Sequence, residues 1–486
     1  MIDETNSRGP RERDEAGHDA PVAGPAARHQ PASKQSQPRS IAVLPFVDLS
    51  AECDEQHFCD GLAHEIISDL TRIGGLKVAS RTSSFAFKDR RRGAPEIDRE
   101  LAAQEIGATL GTDLLVVGAV DKTDGRLSVS AELIDVANGE SLWSESFDRA
   151  MTDIFAIREE IATQIVDALQ LRLSDAQRRA IGKAATHDAE AYDLYLRGAQ
   201  LFFQSTRKSI DAAIAMFNRA LAKDPSYALA FAGVADCYSY RFMYFDSDIG
   251  SLKYARNASK HALTLDRKLA EAHAARGLAV SLSQRYEEAE AAFEEAIRLD
   301  PRLYEAYYFY ARTCFVQGKN EQACSLYETA SRVNPDDIQA TSLLAFSYRT
   351  MGDDVRADEA ARRALQRLER HLDLNPDDPR AIYLAADNLL QLEKREEAVR
   401  YAQRAASLAP EDPYTLYGLA CIYSRLEEID EAMAALEAAV SGGFGHREWI
   451  VNDGDFDPLR GDPRFQDLLD KLAAAGTGGI IVDPQY

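Results

Sequence analysis

AHAARGLAVSLSQRYEEAEAAFEEAIRLDP (residues 272–301) is followed by AYYFYARTCFVQGKNEQACSLYETASRVNP (residues 306–335), and the two align at an offset of 34 residues. Gly277, Tyr286, Ala289, Phe293, Ala296 and Pro301 fall on Ala311, Asn320, Ala323, Tyr327, Ala330 and Pro335. Each unit reads as two amphipathic helices. Small residues let the helices approach closely, an aromatic fills the gap to the next pair, and proline stops the second helix. Further units end at Pro225, Pro376 and Pro410, with Ala213, Phe217, Ala220, Ala357, Ala364, Ala398, Ala405, Ala432 and Ala439 at matching places. The expected architecture is an all-α solenoid over 190–440, of about seven helix pairs, with longer inserts near Arg241–Gly250 and Leu365–Asp373.

Upstream the period changes. Ser40–Phe46 (SIAVLPF) is a short aliphatic run with strand character, and Leu62, Ile66, Ile67, Leu70 and Ile73 follow at helical spacing. LKVASRTSSFAF reads as a second strand and EIDRELAAQEIGATLG as a second helix. Three strands then span residues 112–148, with hairpin signals at Asp124-Gly125 and Asn138-Gly139, and a helix runs from Asp153 to about Leu173. This order predicts an α/β or α+β domain over 40–180. Residues 1–39 are rich in proline and polar residues without periodicity and read as a disordered tail; 441–475 close the solenoid as a cap, and 476–486 form a second tail.

The 486-residue chain carries a formal charge of −23, of which residues 40–185 contribute −9 and the remainder beyond them −14. Such a field repels phosphate backbones and anionic lipid, so nucleic acid and membrane surfaces are not expected partners. The six cysteines are scattered without a CxxC pair, no apolar signal opens the chain, and no run is long enough to span a bilayer. Reduced thiols in a cytoplasm are the expectation.

No phosphate-binding glycine loop, nucleophile elbow or zinc helix occurs, so no catalytic, cofactor or metal residues are assigned. Asp453, Asp455 and Asp457 alternate like the start of a calcium loop. Pro458 stands where glycine is required and Arg464 where the bidentate glutamate belongs, which leaves an acidic turn within the cap. Asp60, His64, Glu65 and Asp69 read as a solvated helix face, and Arg90, Arg91 and Arg92 as an exposed loop.

The first helices of successive units line the concave surface of such a solenoid. Stepping by the repeat offset gives Tyr308, Tyr383 and Tyr417 in one row, Arg312, Phe346 and Asp387 in a second, and Arg425 in a third, with Arg349 beside it. Aromatics interspersed with arginines have the composition of a binding hot spot. The expected site is therefore a groove for a peptide or helix of another protein, although packing between helices is an alternative use of the same aromatics.

With these residues on the page, the region 191–440 resembles the tetratricopeptide repeat family, and Gly442–Leu469 (GGFGHREWIVNDGDFDPLRGDPRFQDLL) looks like the cap that ends many such bacterial arrays. Its Trp449, Phe456, Pro458, Leu459, Pro463, Phe465 and Leu468 are expected to cover the apolar end of the stack. IAVLPFVDLS (41–50), FCDGLAHEIISDLTRIGGLKVASRTSSF (58–85) and LIDVANGESLWSESFDR (133–149) resemble the TolB N-terminal-like α/β domain. In relatives that domain precedes such repeats within class III adenylate cyclases and winged-helix regulators. The resemblance implies a non-catalytic adaptor or, alternatively, a regulatory relative acting with a separately encoded output domain, because the 39 residues before Ser40 are too few for a cyclase or DNA-binding module. The asparagine and lysine pattern that clamps a peptide carboxylate in chaperone-binding relatives is missing.

Overall fold

A computed structural model describes residues 39–50, 55–73, 76–88, 98–123, 125–171, 185–246 and 248–477. The tail expectations for residues 1–38 and 478–486, Cys53, the Arg90–Arg92 run and Asp124 lie outside them.

The first domain is a mixed sheet. Strands β1 (Arg39–Val43), β2 (Val47–Asp48), β3 (Leu76–Val78), β4 (Leu114–Thr123), β5 (Arg126–Asp135) and β6 (Ser141–Ala150) are ordered β3-β1-β4-β5-β6, with β2 beside β4. β1 pairs in parallel with β3 and β4, whereas β4, β5 and β6 form an antiparallel meander. A central parallel strand is covered on both faces. Ile41 and Val43 accordingly join a core with Leu62, Ile66, Ile157 and Ile161, while Ala42 and Leu44 join Phe87 and Ile106 on the other side. Over the first half of β5 one face is covered, with Leu127 and Val129 buried and Arg126, Ser128 and Ser130 exposed, whereas at its end Leu133 and Ile134 enter the two cores on opposite sides.

Helices α1 (Gln56–Thr71) and α4 (Ile154–Ala168) supply the first of those cores, and α3 (Asp98–Leu110) the second. The strand expected over LKVASRTSSFAF is corrected to three residues. After Val78 the chain enters a short helix, α2 (Arg81–Phe85), started by Ser80, whose side chain accepts from the Ser83 amide. That N-cap satisfies an otherwise orphaned donor and outweighs the β preference of the following threonine and phenylalanine.

The remainder comprises, among the described residues, seven antiparallel helix pairs: α5 (Ala189–Phe203) with α6 (Arg207–Lys223), α7 (Ala228–Arg241) with α8 (Ile249–Leu265), α9 (Ala270–Ser281) with α10 (Tyr286–Leu299), α11 (Tyr304–Val316) with α12 (Asn320–Val333), α13 (Gln339–Thr350) with α14 (Asp354–Leu374), α15 (Pro379–Gln391) with α16 (Arg395–Leu408), and α17 (Pro413–Arg425) with α18 (Ile429–Ser441). Close approach explains the small residues: a Cβ on Gly277 would lie 2.6 Å from the ring of Phe293, and one on Gly198 2.7 Å from that of Phe217. The turn inside most pairs uses one left-handed residue, glycine at 318 and 352 (φ +72°) but Gln284, Glu393 and Glu427 elsewhere (φ +60° to +61°). The insert after α7 is a π-helix, Phe242–Asp246, and the later insert is absorbed by lengthening α14 to 21 residues.

The α/β domain docks on the solenoid rather than hanging from it. α1 lies on α5, where Leu196 fills the space over Gly61 and Gln200 donates to Asp60 at 2.9 Å. Arg72 pairs with Glu271 at 2.7 Å, Arg302 donates to the Ile73 carbonyl at 2.8 Å, and the Ser80 amide donates to Asp336 at 3.0 Å. The solvated face expected for Asp60, His64, Glu65 and Asp69 is thereby corrected. Asp60 and Asp69 are buried, the His64 ring meets Phe203 edge-on, and Glu65 pairs with Arg158. The solenoid covers Asp60 and His64 through Gln200 and Phe203, while Arg158 of α4 covers Glu65 and Asp69 from within the domain.

Candidate functional site

The concave rows of the solenoid converge on one cavity of about 100 Å³. Of the eight residues singled out from the sequence, Tyr308, Arg312, Phe346, Tyr383, Asp387 and Tyr417 line it. Arg349 and Arg425 stand behind Asp387, contacting it at 3.2 and 2.7 Å.

The surface is not an open groove. Residues 444–459 of the closing segment, including α19 (Arg447–Asn452) and the 3-10 turn Gly454–Leu459, fold back into it. Phe444 stacks on Tyr417 with ring centroids 4.2 Å apart, Trp449 packs on Phe315 and under the Arg312 guanidinium, and Asn452 donates to the Val316 carbonyl. Phe456, Leu459, Phe465 and Leu468 do meet Met433 and Leu436 of the last pair, the last two through α20 (Pro463–Thr477), so one segment both ends the stack and fills its concavity.

A paired-charge network fixes that segment. Arg349 donates to both carboxylate oxygens of Asp455 at 2.9 Å and shares Asp387 with Arg425. The Tyr417 hydroxyl donates to Asp453, whose Oδ1 accepts from the Asp455 amide at 2.9 Å. Burial, helped by Asp455, pushes the Asp453 carboxyl up to about 7 against the lowering influence of Tyr417 and Arg349. Asp387 is held low, since Arg349 and Arg425 together outweigh its burial. The acidic turn is thus mostly interior, with Asp457 left exposed.

The π-helix insert of the second unit packs against residues that line the cavity. Tyr244 accepts from Arg312 at 3.0 Å and from Arg380 at 3.1 Å, and its ring packs on Tyr414. The Met243 carbonyl accepts from the Tyr414 hydroxyl at 2.6 Å and from His446 Nε2 at 2.7 Å, which assigns the proton of a neutral imidazole to Nε2. Burial lowers His446 to about 4, and Arg312 adds to the effect. Tyr244, Arg380, Tyr414, Phe444 and His446 were not selected from the sequence, and Trp449 was assigned to the end of the stack and not to its concave face. The insert at 241–250 and the aromatic closing segment were visible there, but nothing local showed that both turn inward.

Among the described residues, two groups of donor atoms lie close enough to suggest a metal: Glu55, His57 and Asp193, and Cys421, Asp453 and Asp455. Neither set fits an ion. Lys122 already places its ammonium 3.0 Å from Glu55 and 3.3 Å from Asp193, and the Arg349 guanidinium fills that role against Asp455. Burial also pushes the Cys421 thiol far up, away from the thiolate a metal would need.

The geometry defines a two-part class of protein: an α/β domain docked on a helical-repeat solenoid. Residues 32–142 match the family model of the TolB amino-terminal domain, and residues 282–345 and 383–445 match tetratricopeptide repeat models. The chain is a TolB amino-terminal domain followed by tetratricopeptide repeats. Over 196 residues it is 35% identical to "Putative adenylate cyclase 3" of Rhizobium meliloti (strain 1021), covering 40% of this chain and 32% of that protein. The chain thus spans about a third of the length of the curated relative it matches. Solved structures similar to it include PilW, a type IV pilus biogenesis factor (19% identity, 45% of this chain and 94% of that one, TM-score 0.35). Two others are pilF of Pseudomonas aeruginosa (19%, 51% and 98%, TM-score 0.33) and the Cut9–Hcn1 assembly of the APC/C (18%, 66% and 63%, TM-score 0.41). No helix among the described residues is long and apolar enough to cross a membrane.

Proposed function

We propose that the chain is a non-catalytic adaptor that holds another protein through the concave surface of its tetratricopeptide repeats. The observation that supports this reading is the chain's own closing segment, which that surface accepts as it would a ligand. Aromatic stacking at Tyr417 and Phe315 and a bidentate arginine contact at Asp455 anchor it. A partner segment with an aromatic residue followed by spaced carboxylates suits the same contacts and would exchange with it. The five described cysteines are buried free thiols, in keeping with a cytoplasmic setting.

The test uses a fluorescent peptide copying residues 443–459, added to the full chain and to a Trp449→Ala/Asp455→Asn variant whose own segment is loosened. Binding to the variant, and its loss on adding Arg349→Gln, is the expected result. Absence of any binding to the loosened variant refutes an exchangeable groove.

A second reading, favoured by the similarity to "Putative adenylate cyclase 3", makes the chain a regulatory part of a signalling system whose output domain is encoded apart from it. Co-purification of the full chain with a class III cyclase catalytic domain distinguishes this reading from the first.

A further inference from the structure

The cavity under the closing segment has four guanidiniums around it, and their partners differ. Arg349 and Arg425 are matched by Asp387 and Asp455. Among the described residues, Arg312 and Arg380 have no carboxylate partner. Arg312 donates to the hydroxyls of Tyr244 and Tyr308 at 3.0 and 3.4 Å, and Arg380 donates to Tyr244 at 3.1 Å, while its Nε is buried without a hydrogen-bond partner. Two cations converge on one tyrosine hydroxyl, which they draw down to about 8 against its burial, and they remain under-compensated, because removing a guanidinium from water is costly unless an anion or a full set of acceptors replaces the water. His446 can carry only positive charge and Asp453 is already engaged with Tyr417, so neither offsets them.

We infer that this cavity is a binding site for a small organic oxyanion, a carboxylate or phosphate ester whose charged end bridges Arg312 and Arg380 and whose apolar body lies among Phe346, Tyr383 and Trp449. Both chemistries share what the arginines read: two oxygens able to accept from two guanidiniums. At about 100 Å³, closed on one side by Phe444, His446 and Trp449, the space suits a free small molecule and excludes a peptide strand. The apolar walls give the body its place, in the usual manner of ligand sites. Since Trp449 lies on Arg312, an occupied site fastens the closing segment, which links the ligand to whatever that segment displaces. The inference does not depend on a protein partner.

Thermal unfolding of the full chain with benzoate, phenyl phosphate and the neutral isostere benzamide tests it. The expected result is a saturable rise in Tm with at least one of the two anions and none with benzamide. Arg380→Met should abolish the response and raise the Tm of the ligand-free chain, because a poorly compensated buried charge has gone. Tyr244→Phe, which keeps both arginines and removes the hydroxyl competing for them, should tighten anion binding roughly tenfold, about 1.4 kcal/mol. No shift with either anion, an equal shift with benzamide, or a response retained in Arg380→Met overturns the assignment. If Arg380→Met does not fold, unaltered anion affinity in Tyr244→Phe overturns it alone.

Discussion

Arg349 and Arg312 sit on neighbouring first helices of the same solenoid, one behind the cavity wall at Asp387 and one lining the cavity, and live in opposite electrostatic circumstances. Arg349 meets Asp455 through a bidentate contact and shares Asp387 with Arg425, whereas Arg312 and Arg380 share a tyrosine hydroxyl. One half of the cavity wall is a completed ion-pair network that holds the chain's own closing segment. The other half joins two guanidiniums through one tyrosine hydroxyl and, among the described residues, no carboxylate. The difference teaches that a buried arginine in a repeat array is to be read by its partner and not by its position in the repeat.

The comparison is broken most forcefully on the paired side. Asp455→Ala leaves Arg349 and Arg425 with Asp387 as their one carboxylate in the network and releases the segment, and should cost about 3 kcal/mol of stability, read as a lower urea midpoint at unchanged slope. Arg380→Met on the unpaired side carries the opposite sign, so a comparable loss there would erase the distinction between the two halves.

Acidity sharpens the same contrast. Asp453 is pushed up from the usual carboxylate range to about 7, so the folded chain binds its proton more tightly than the unfolded one. Stability from this group is full below the unfolded value and is lost as pH rises through the folded one. Tm should therefore fall between about pH 4 and pH 7, and Asp453→Asn should flatten that portion of the profile. An identical slope in the variant would place the titration elsewhere.

The smallest expected effect is a baseline set by backbone conformation and not by charge. Glu393 holds φ at +60° in the turn between α15 and α16, where Gly318 and Gly352 serve two other pairs. Glu393→Gly should gain about 0.5 kcal/mol in denaturant unfolding, as relief of left-handed strain exceeds the added freedom of the unfolded chain.

Much of the fold was legible because its determinants are local. A helix pair fits within 34 residues, and its Gly277 and Phe293 touch each other within one unit, so the period is written directly in the sequence. The alternation in β5 is equally local. Six of the eight proposed groove residues reach one cavity for the same reason: repeat offsets carry side chains onto one face. What was illegible has large sequence separation. Arg349 and Asp455 are 106 residues apart, Tyr414 and Met243 171, and the α1 face that read as solvated is buried by a helix more than a hundred residues on. Periodicity assigns a residue to a face, and only the folded chain says what covers it.

The Met243 carbonyl, accepting from Tyr414 and His446, ties the second helix pair to the last one and to the segment beyond it. A linear array behaves as a spring, able to stretch and to melt from either end, since each unit feels only its neighbours. This clasp turns the spring into a buckled belt. Pulling on the two ends meets a latch before it meets any elasticity, and the terminal pairs should exchange their amide hydrogens as slowly as the middle ones.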